Sequence, residues 1–423
     1  MNIKKIVVVG GGPAGMMAAI RAGELRQDVT LVEKNAELGI KLLLSGKGRC
    51  NITNACDLES FLERFSGNGD FLRDAFKKFF NRDLVRFFES RGLKLKTERQ
   101  DRVFPVTDRA TSVKEILQEE LKKNKVKVIY KAALKDLLLD KDKVKGIVLE
   151  DGKIIPAERV ILTTGGVSYS FTGSSGEGLS IARKFGHKLV NFRPGLVALE
   201  TREDYPQTLE GLTLKNIRLK FTQHQPASAG FTAGQKKIIS EIGELMFTTV
   251  GISGPLVLSL SGTIVDWMGA KKKVRVEIDL KPALSAEQVD ARLLREFKLN
   301  QKKSLKNTLE SLIPQRLIDV FINISKIDPD KKTGEITRQE RQKLVSLFKG
   351  LSLNIARPGP IEKAMITRGG VSLKDINPRT MESRLIKSLY FAGEMIDVDA
   401  DTGGFNLQAA FSTGYLAGES AAS

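Results

Sequence analysis

Cysteine and histidine are scarce in this chain, and their scarcity removes several classes of site. The 423 residues include two cysteines and two histidines. Two cysteines are too few for a disulfide framework and indicate a reducing compartment. The histidines, His187 and His224, leave little for a zinc site or a histidine proton relay, so we expect no bound metal and disfavour a hydrolase.

Long hydrophobic runs are also missing. The N-terminal run Ile6–Val9 breaks at Gly10-Gly11-Gly12-Pro13 with no cleavage site of the secretory kind. The uncharged segment Leu245–Val265 is interrupted by Gly254-Pro255, which favours a buried loop plus helix over a membrane span. We expect a cytoplasmic protein without a membrane anchor, and the length predicts about three domains or subdomains.

The charge is strongly basic, at +18 with a pI near 9.7. Residues 1–190 contribute 35 basic and 24 acidic side chains, residues 191–350 contribute 26 and 18, and residues 351–423 contribute 7 and 8. Because the excess is spread over two segments and lacks interleaved aromatic residues, a solvated basic surface is the simpler interpretation. An RNA partner is the alternative.

A nucleotide-binding pattern opens the chain. An apolar strand pattern over Ile3–Val9 leads into a glycine turn, a helix pattern over Met16–Arg26, and a second strand over Asp28–Glu33. This order is the context that a dinucleotide-binding G-x-G-x-x-G motif requires. The turn residues expected to approach the pyrophosphate are Gly10, Gly12, Pro13, Ala14 and Gly15.

The acid that ends the second strand limits the choice of nucleotide. Glu33 would accept hydrogen bonds from the ribose hydroxyls and would repel a 2′-phosphate, so the motif predicts FAD or NAD. Lys34 follows directly and is counted with the same site.

A glycine-rich block near the C-terminus selects FAD. A short strand over Ser388–Ala392 precedes the block, and a helix of small residues follows from Leu407 to about Glu419. The positive N-terminal end of that helix is expected to face the pyrimidine edge of the flavin. The block supplies these expected cofactor-binding residues: Gly393, Glu394, Asp397, Gly404, Phe405 and Asn406.

A third element supports FAD. The strand Val160–Leu162 ends in small residues, of which Thr164 and Gly165 are expected to pass close to the nucleotide. Gly173 to Gly178 then opens a helix running to about Phe185. This arrangement resembles the flavin domain of fumarate reductase-type and ketosteroid dehydrogenase-type enzymes.

Four segments together resemble one family. They are residues 39–54, 251–255, 367–371 and 393–406. The chain is similar over its whole length to the BaiN-like (YhiN-like) NAD(P)/FAD-dependent oxidoreductases, also described as aminoacetone-oxidase-family FAD-binding enzymes. The resemblance implies an α/β fold, a Rossmann-like FAD-binding domain of the two-dinucleotide-binding flavoprotein type, with an inserted β-barrel and a small helical subdomain.

Domain boundaries follow from that resemblance and from the local patterns. We expect the FAD-binding domain at 1–190 and 351–423, the barrel at 191–280 and the helical subdomain at 281–350. Short alternating runs broken by glycine and proline up to residue 275 fit the barrel, and helical spacing over 285–349 fits the helical part.

The resemblance also implies further cofactor-binding positions and places one segment along the flavin ring. The added positions are Lys41, Ser45, Gly46, Gly48, Arg49, Cys50, Asn51 and Ala133. Arg49, Cys50 and Asn51 double as candidate catalytic residues, alternatively only shaping the pocket. Tyr169, Arg102 and Arg368 are the other candidates for proton donation to a reduced substrate.

Two sharper assignments are disfavoured. Cys50 and Cys56 have five intervening residues, where the redox-active disulfide of glutathione reductase-type enzymes has four. His187, expected late in a helix, and His224, expected in a polar loop, are interpreted as structural.

The predicted function is that of an FAD-dependent oxidoreductase acting on a small organic molecule. The resemblance suggests reduction of an enone-type double bond with hydride from NAD(P)H, which must dock transiently because no second G-x-G-x-x-G occurs. The alternatives are an RNA-associated flavoprotein of the tRNA-modification type, an amine or ketone oxidase using oxygen, and a protein whose flavin is structural.

Overall fold

The computed structural model describes residues 3–224 and 236–423. The chain forms two compact units, one made of Met1–Gly195 with Ile361–Ser423 and the other of Leu196–Pro360. The expected α/β fold with a parallel sheet and a β-barrel is confirmed.

The described residues contain both strands and helices throughout. In chain order the strands are β1 (Lys5–Val9), β2 (Asp28–Val32), β3 (Thr53–Asn54), β4 (Leu95–Glu98), β5 (Arg102–Pro105), β6 (Lys127–Ile129), β7 (Leu134–Asp140), β8 (Lys143–Leu149), β9 (Ile154–Pro156), β10 (Arg159–Leu162), β11 (Leu189–Gly195), β12 (Leu199–Thr201), β13 (Thr213–His224), β14 (Lys237–Ile239), β15 (Gly243–Thr248), β16 (Gly251–Ser253), β17 (Lys273–Asp279), β18 (Leu351–Pro358), β19 (Ile366–Val371) and β20 (Leu389–Phe391). The helices are α1 (Pro13–Glu24), α2 (Ile40–Leu44), α3 (Leu58–Leu62), α4 (Arg73–Lys78), α5 (Asn81–Glu89), α6 (Ala110–Lys123), α7 (Glu177–Lys184), α8 (Tyr205–Thr208), α9 (Pro255–Gly269), α10 (Ala286–Leu299), α11 (Leu305–Leu309), α12 (Gln315–Ser325), α13 (Arg338–Gly350) and α14 (Phe405–Ala422).

A parallel sheet organises the first unit. Its strand order is β20-β10-β1-β2-β6, with every pairing parallel. Successive side chains of β1 point to opposite faces, as a strand requires. Ile6 and Val8 join the core formed with α1, α6 and α14, whereas Val7 and Val9 join the core formed with the β7-β8-β9 sheet and α7. Because both faces are covered, the central strand is apolar from Ile6 to Val9.

Helix α1 begins and ends earlier than the expected Met16–Arg26. Pro13 occupies the first turn, where its missing N–H costs nothing, and Gly12 is the N-cap. The helix ends at Glu24, and Arg26 adopts a left-handed conformation with φ of 58°. The glycine turn and the helix start therefore share residues 12 to 15.

Helices α1 and α14 pack backbone against backbone. A Cβ built on Gly414 would lie 2.2 Å from the carbonyl oxygen of Ala14, and one on Gly418 would lie 2.3 Å from that of Ala18. These distances leave no room for a side chain, so the two helices can approach this closely only because both positions are glycine.

The second unit contains a closed barrel. Strands β13, β15, β16, β12, β18 and β17 pair in that order, and β17 pairs with β13 to close the ring. Strand β14 pairs with residues 220–222 of β13, beyond the part of β13 that pairs with β15. The barrel interior and the buried faces of α10, α12 and α13 form one hydrophobic core. The barrel and the helical part therefore belong to the same compact unit.

The unit boundary differs from the expected one at residue 351. Strand β18 was expected in the FAD-binding domain, but it pairs with β12 and β17 and completes the barrel. At the other end, β11 pairs with β19 and lies in the first unit up to Gly195. Hydrogen bonding between strands distant in sequence sets both boundaries, and local composition carried no sign of it.

Three local expectations need correction. His187 follows α7 instead of lying within it, and it is buried with Nε2 2.7 Å from the Ser383 hydroxyl. His224 ends strand β13 and is not in a loop. The segment expected as loop plus helix contains two strands, β15 and β16, before α9 begins at Pro255. Among the described residues, no helix is long and apolar enough to span a membrane.

The α1–α14 contact makes the first stability prediction. We expect Gly418→Ala to lower the free energy of unfolding by about 1–3 kcal/mol, because the new methyl group overlaps a backbone carbonyl. Gly269→Ala, at the end of α9, is the matched control, since a Cβ there meets no atom within 4 Å. Thermal unfolding of both variants checks this; equal midpoints would show that the helices separate without cost.

Candidate cofactor site

In the glycine turn between β1 and α1, Gly10 and Gly15 face closely packed backbone, whereas Gly12 faces open space. Gly10 has φ of 104°, and a Cβ there would lie 2.6 Å from the Thr163 carbonyl oxygen. A Cβ on Gly15 would lie 1.9 Å from the Gly10 carbonyl oxygen. Gly12 is the opposite case, because a Cβ there meets no atom within 4 Å. The side of the turn that Gly12 faces is open.

The N-terminus of α1 is left without a side-chain cap. The N-cap residue Gly12 offers no side chain, and no side chain bonds to the first turn. Backbone N–H groups at such an end carry partial positive charge and bind anions such as phosphate. Pro13, Ala14 and Gly15 form this first turn, so the structure brings the predicted pyrophosphate residues together.

Glu33 directly follows β2 beside the turn and is largely buried. Its Oε2 accepts a hydrogen bond from the Gly11 N–H at 2.7 Å, and its Oε1 accepts from the backbone and side-chain nitrogens of Asn35, both at 2.8 Å. These bonds hold the carboxylate rigid. Oε2 keeps a second lone pair that can accept a hydroxyl proton.

The neighbours of Glu33 differ in where they point. Lys34 donates to Ser175 and, at 2.7 Å, to Glu177 at the start of α7. Ala132 donates its N–H to the Glu33 carbonyl oxygen at 3.0 Å, which fixes the chain that carries Ala133 beside the acid. Lys34 is thus engaged in an ion pair on this side, whereas Ala133 lies next to the predicted ribose position.

The residues that follow β10 lie against the glycine turn. Thr163 donates its hydroxyl to the carbonyl oxygens of Val9 and Gly10, at 2.8 and 2.9 Å. Thr164 contacts the Met395 sulfur at 3.2 Å, and a Cβ on Gly178 would lie 2.2 Å from the Thr164 hydroxyl. Gly165 has φ of 79°, a conformation that glycine adopts without strain.

A polar network around Glu394 ties four separate segments together. Its Oε2 accepts from Lys41 Nζ at 2.6 Å, and its Oε1 accepts from the Ser168 hydroxyl at 2.9 Å and from the Thr367 N–H at 2.7 Å. Lys41 also donates to Ser168 at 2.8 Å. Gly393, with φ of 69°, positions this acid after β20 and abuts Ala14 of the glycine turn.

Two members of this network were not predicted as site residues. The Thr367 hydroxyl oxygen accepts hydrogen bonds from the backbone N–H groups of Val167 and Ser168, at 2.8 and 3.0 Å. Both Thr367 and Ser168 are buried. Thr367 lies within one of the segments that carry the family resemblance, which could have flagged it. Ser168 has no sequence signal, since only the fold brings it to Glu394.

The N-terminus of α14 forms a second uncapped helix end in the same unit. Gly404, the N-cap, has φ of 99°, and a Cβ there would lie 2.4 Å from the Thr53 carbonyl group. Phe405 packs its ring against Phe61, with centroids 4.7 Å apart. Asn406 uses its amide to hold the preceding loop, bonding to the Ala400 N–H and carbonyl at 2.9 and 2.8 Å.

The loop between Glu394 and α14 carries buried carboxylates. Burial raises the pKa of Asp397, helped by the nearby charge of Asp399 and opposed by Arg193 and Arg368. The Arg368 guanidinium bonds to Asp399 through Nε at 3.1 Å. Burial also raises the pKa of Asp401, against the effect of Arg64. Arg368 is therefore part of a charge cluster with this loop.

The segment from Ser45 to Asn51 has an unusual backbone. Gly46, Lys47, Gly48 and Cys50 all have positive φ, between 57° and 84°. Two of these residues carry side chains, which makes the conformation costly unless the surroundings impose it. The Asn51 side-chain oxygen is buried and has no hydrogen-bond partner among the described residues. A buried acceptor of this kind is missing a donor, which a ligand can supply.

Arg49 points into a charged hairpin. Its guanidinium donates to Glu98 at 2.8 Å and to Asp108 at 3.2 Å, and it stacks over the Phe104 ring at 4.1 Å from the centroid. Hydrogen bonding to Glu98 raises the Arg49 pKa, against the effect of burial. Arg102, on the same hairpin, donates to the Arg99 carbonyl oxygen at 3.1 Å.

Cys50 is a core residue. Its side chain is fully buried among apolar neighbours, and burial raises the pKa of the thiol to about 12. Cys56 is half-buried, and burial raises its pKa too. Both cysteines are free thiols. A thiol that stays protonated at neutral pH is a weak nucleophile, which speaks against the dithiol interpretation.

Tyr169 lies close to the Glu394 network. Its ring centroid is 6.0 Å from Lys41 Nζ, and its N–H donates to the Glu362 carbonyl oxygen at 3.0 Å. The residue is half-buried with φ of 49°, and burial raises the pKa of its phenol. Its hydroxyl is therefore protonated at neutral pH and can donate.

These features fit FAD. The uncapped end of α1 with its open side at Gly12 suits a pyrophosphate, the rigid carboxylate of Glu33 suits a ribose, and the unpartnered oxygen of Asn51 suits a ring or ribityl donor. No group of three or more histidine, cysteine or acidic side chains suited to a metal ion occurs among the described residues.

The comparison with family models decides the identity. Residues 4–420 match the model described as the HI0933-like protein Rossmann domain. The chain belongs to the HI0933-like family. The resemblance drawn from the sequence motifs is confirmed, and this HI0933-like protein is an enzyme of the FAD-dependent oxidoreductase kind.

Two curated relatives cover almost all of this HI0933-like chain. The 3-dehydro-bile acid delta(4,6)-reductase of Clostridium scindens is 32% identical over 424 residues, covering 99% of both chains. The ribosomal RNA dihydrouridine synthase of Escherichia coli is 29% identical over 411 residues, covering 97% of this chain and 96% of the relative.

Solved structures share the fold of this HI0933-like protein at low identity. The 3-ketosteroid delta1-dehydrogenase of Sterolibacterium denitrificans has a TM-score of 0.54 at 12% identity, with full coverage of both chains. The 3-ketosteroid-delta4-(5alpha)-dehydrogenase of Rhodococcus jostii has a TM-score of 0.53 at 15% identity, covering 99% of this chain and 97% of that one. These likenesses concern the fold alone.

Gly12 gives a prediction that separates folding from cofactor binding. Its φ of −78° and the empty space around it allow any side chain in the protein without cofactor. We expect Gly12→Ala to leave the thermal midpoint of the apoprotein unchanged and to weaken FAD binding about tenfold or more, because the methyl group occupies the pyrophosphate side of α1. Flavin fluorescence titration measures the affinity; unchanged affinity contradicts the site.

The cysteines give a second prediction. At pH 8 we expect iodoacetamide to modify Cys56 slowly and to leave Cys50 unmodified until the protein unfolds, because a pKa of about 12 leaves almost no thiolate at Cys50. Peptide mass spectrometry before and after denaturant measures both sites. Modification of Cys50 in the native protein, or a disulfide between the two, would contradict the burial.

Proposed function

We propose that this enzyme uses FAD and NAD(P)H to reduce a carbon–carbon double bond conjugated to a carbonyl group. The observation that carries the proposal is a shared chemistry in the names of the two full-length relatives. A 4,6-diene of a 3-dehydro bile acid and the uracil ring of uridine both contain a double bond conjugated to a carbonyl. One site reducing this group accounts for both.

FAD supplies the hydride chemistry when bound. The chain's own residues hold it: the first turn of α1 for the pyrophosphate, Glu33 for the ribose, and Glu394 with its network for the flavin end. The Lys41–Glu394 ion pair, at 2.6 Å, fixes helix α2 against the loop after β20.

Tyr169 is the residue we assign to proton donation. Hydride addition to the carbon distant from the carbonyl leaves negative charge that a proton must neutralise. Tyr169 is half-buried, its phenol is protonated, and it lies beside the Lys41–Glu394 pair. Cys50 is fully buried with a thiol pKa of about 12, and Arg49 is committed to Glu98. The geometry therefore favours Tyr169 over the other candidates.

The electron donor is expected to bind transiently. The sequence has a single G-x-G-x-x-G motif, and its glycine turn is assigned to FAD. A nicotinamide dinucleotide would then dock, transfer hydride and leave before the substrate enters.

Reduction of uridine in RNA is the second candidate. The observation that favours it is the net charge of +18, because a small bile acid or other small enone requires no basic surface. The 29% identity to a ribosomal RNA dihydrouridine synthase points the same way.

Half-reactions test the proposal. Under anaerobic conditions we expect NADH or NADPH to bleach the flavin of the loaded protein, and an enone or a uridine-containing RNA to restore its colour. Tyr169→Phe should slow the recolouring about 100-fold and leave bleaching unchanged, because only the substrate step needs the proton. Stopped-flow absorbance measures both steps.

Tyr415→Phe is the matched control. Tyr415 is also half-buried, with a phenol pKa raised by burial, but it stacks on Phe79. We expect it to change neither step. A flavin that neither nicotinamide bleaches would contradict the donor, and recolouring by oxygen alone would favour the oxidase. Equal rates in Tyr169→Phe and the native enzyme would remove Tyr169 from the reaction.

A further inference from the structure

On one side of the barrel, buried apolar side chains alternate with exposed basic side chains along neighbouring strands. On β13, Leu219 and Phe221 are fully buried, whereas Lys220 between them is exposed. On β17, Val274 and Val276 are buried, whereas Arg275 between them is exposed. Alternation places the exposed residues together on the outer face.

The strand register brings the exposed residues into rows. Lys237 of β14 lies opposite Thr222 of β13, and Thr222 lies opposite Arg275 of β17. Arg275 in turn lies opposite Asn354 of β18. At about 4.8 Å between neighbouring strands, Lys237 and Arg275 are roughly 10 Å apart at the backbone.

The neighbouring rows add more positive charge. Lys273 lies opposite His224, and Lys220 lies opposite Glu277. Three lysines flank the strands that carry these rows. We call the whole set the basic face, and its members are Lys220, Lys236, Lys237, Lys271, Lys272, Lys273 and Arg275.

The charge of the basic face is largely uncompensated. Two acids, Glu277 and Asp279, occupy outward positions of β17. Glu277 pairs with Lys220 at 2.8 Å and lies 4.0 Å from Arg275, and Asp279 pairs with Lys349 at 2.7 Å. Among the described residues, no carboxylate lies within 4 Å of the ammonium groups of Lys237 or Lys273. Elsewhere in this unit exposed cations do pair, as Lys306 does with Asp319 at 3.2 Å.

We propose that the basic face is a docking surface for the phosphate backbone of RNA. Long cationic side chains at two-strand spacing can reach successive phosphates, and each phosphate contact releases counterions and adds affinity independent of sequence. Ser352 accepts a hydrogen bond from Arg275 at 2.6 Å, and Asn354 donates its amide to Glu203 at 2.8 Å. The side chain between Lys237 and Arg275 is Thr222, which is short and carries a hydroxyl group. Such groups hydrogen-bond phosphate and sugar oxygens.

The composition of this face favours RNA over a lipid surface. Stable binding to a membrane surface usually combines positive charge with apolar side chains that enter the headgroup region, often on an amphipathic helix. The outer positions of β13 and β17 carry no apolar residue, and Ile239 is the one on β14. An open strand face with cations in register offers positive charge without such an insertion surface.

The inference rests on the proposed function and names the carrier of the double bond. If RNA docks here, the conjugated bond reduced at the flavin belongs to a uracil base. Docking and flavin reduction are separable measurements, because the basic face lies in the second unit and the cofactor residues lie in the first.

Salt-dependent RNA binding by the FAD-loaded protein tests the proposal. The probe is a fluorescently labelled 20-nucleotide RNA containing uridine, titrated by anisotropy between about 50 and 200 mM salt. The test variant replaces Lys237, Lys273 and Arg275 by Gln, and the control replaces Lys302, Lys303 and Lys343, which are exposed in the same unit. Both variants lose the same charge.

We expect the native protein to bind, the test variant to bind at least tenfold more weakly, and the control to change less than twofold. The slope of log affinity against log salt should become shallower by about 2 in the test variant, from three lost contacts at about 0.7 each. Equal weakening of both variants, or no binding by the native protein, overturns the proposal.

Two further measurements distinguish a failure of the proposed electron donor from a failure of RNA docking. Bleaching of the flavin by NADH should be the same in all three proteins, so its absence in the native protein would count against the electron donor and not against docking. Vesicles containing 30% phosphatidylglycerol serve as the competing polyanion. Vesicle binding lost in the test variant, without RNA binding, would replace RNA by a lipid surface.

Discussion

The close approach of α1 and α14 is the contact on which the cofactor site depends. Gly414 and Gly418 let the two backbones touch, and this contact brings the end of the chain against the helix that begins at the glycine turn. Gly393 abuts Ala14 in the same region. A nucleotide end built near residue 12 and a flavin end built near residues 393–404 can form one site only if these helices are held together at short range.

Local patterns predicted the elements that form the candidate nucleotide site. The apolar strand, the glycine turn and the acid at Glu33 follow one another along the chain, so their geometry is set within 30 residues. The small-residue pattern predicted helix α14 from Leu407 to about Glu419, and the helix forms over Phe405–Ala422. The domain boundary expected at residue 351 was wrong, because β18 belongs to the barrel through its pairing with β12 and β17. Local composition does not encode that pairing.

The side-chain network of the site lay mostly beyond prediction. Lys41 and Glu394 were expected near the cofactor, but not as an ion pair, since 353 residues separate them. Ser168 gave no signal at all. The three residues from Arg49 to Asn51 have three different environments. Arg49 stabilises a hairpin, Cys50 packs in the core, and the side-chain oxygen of Asn51 has no hydrogen-bond partner among the described residues. Neighbours in sequence have different tasks because their backbone is left-handed at Cys50.

The interruption of the first unit has a consequence for synthesis on the ribosome. Strand β10 pairs with β20, and α1 packs on α14, so the first 195 residues contain apolar surfaces whose partners arrive only after residue 361. The barrel unit between them is contiguous and holds its own core, so it can fold while the earlier segment waits. The nascent chain therefore exposes one edge of its parallel sheet from the synthesis of β10 (Arg159–Leu162) until that of β20 (Leu389–Phe391). This interval covers about 230 residues, which at 5–20 residues per second is roughly 10–45 seconds.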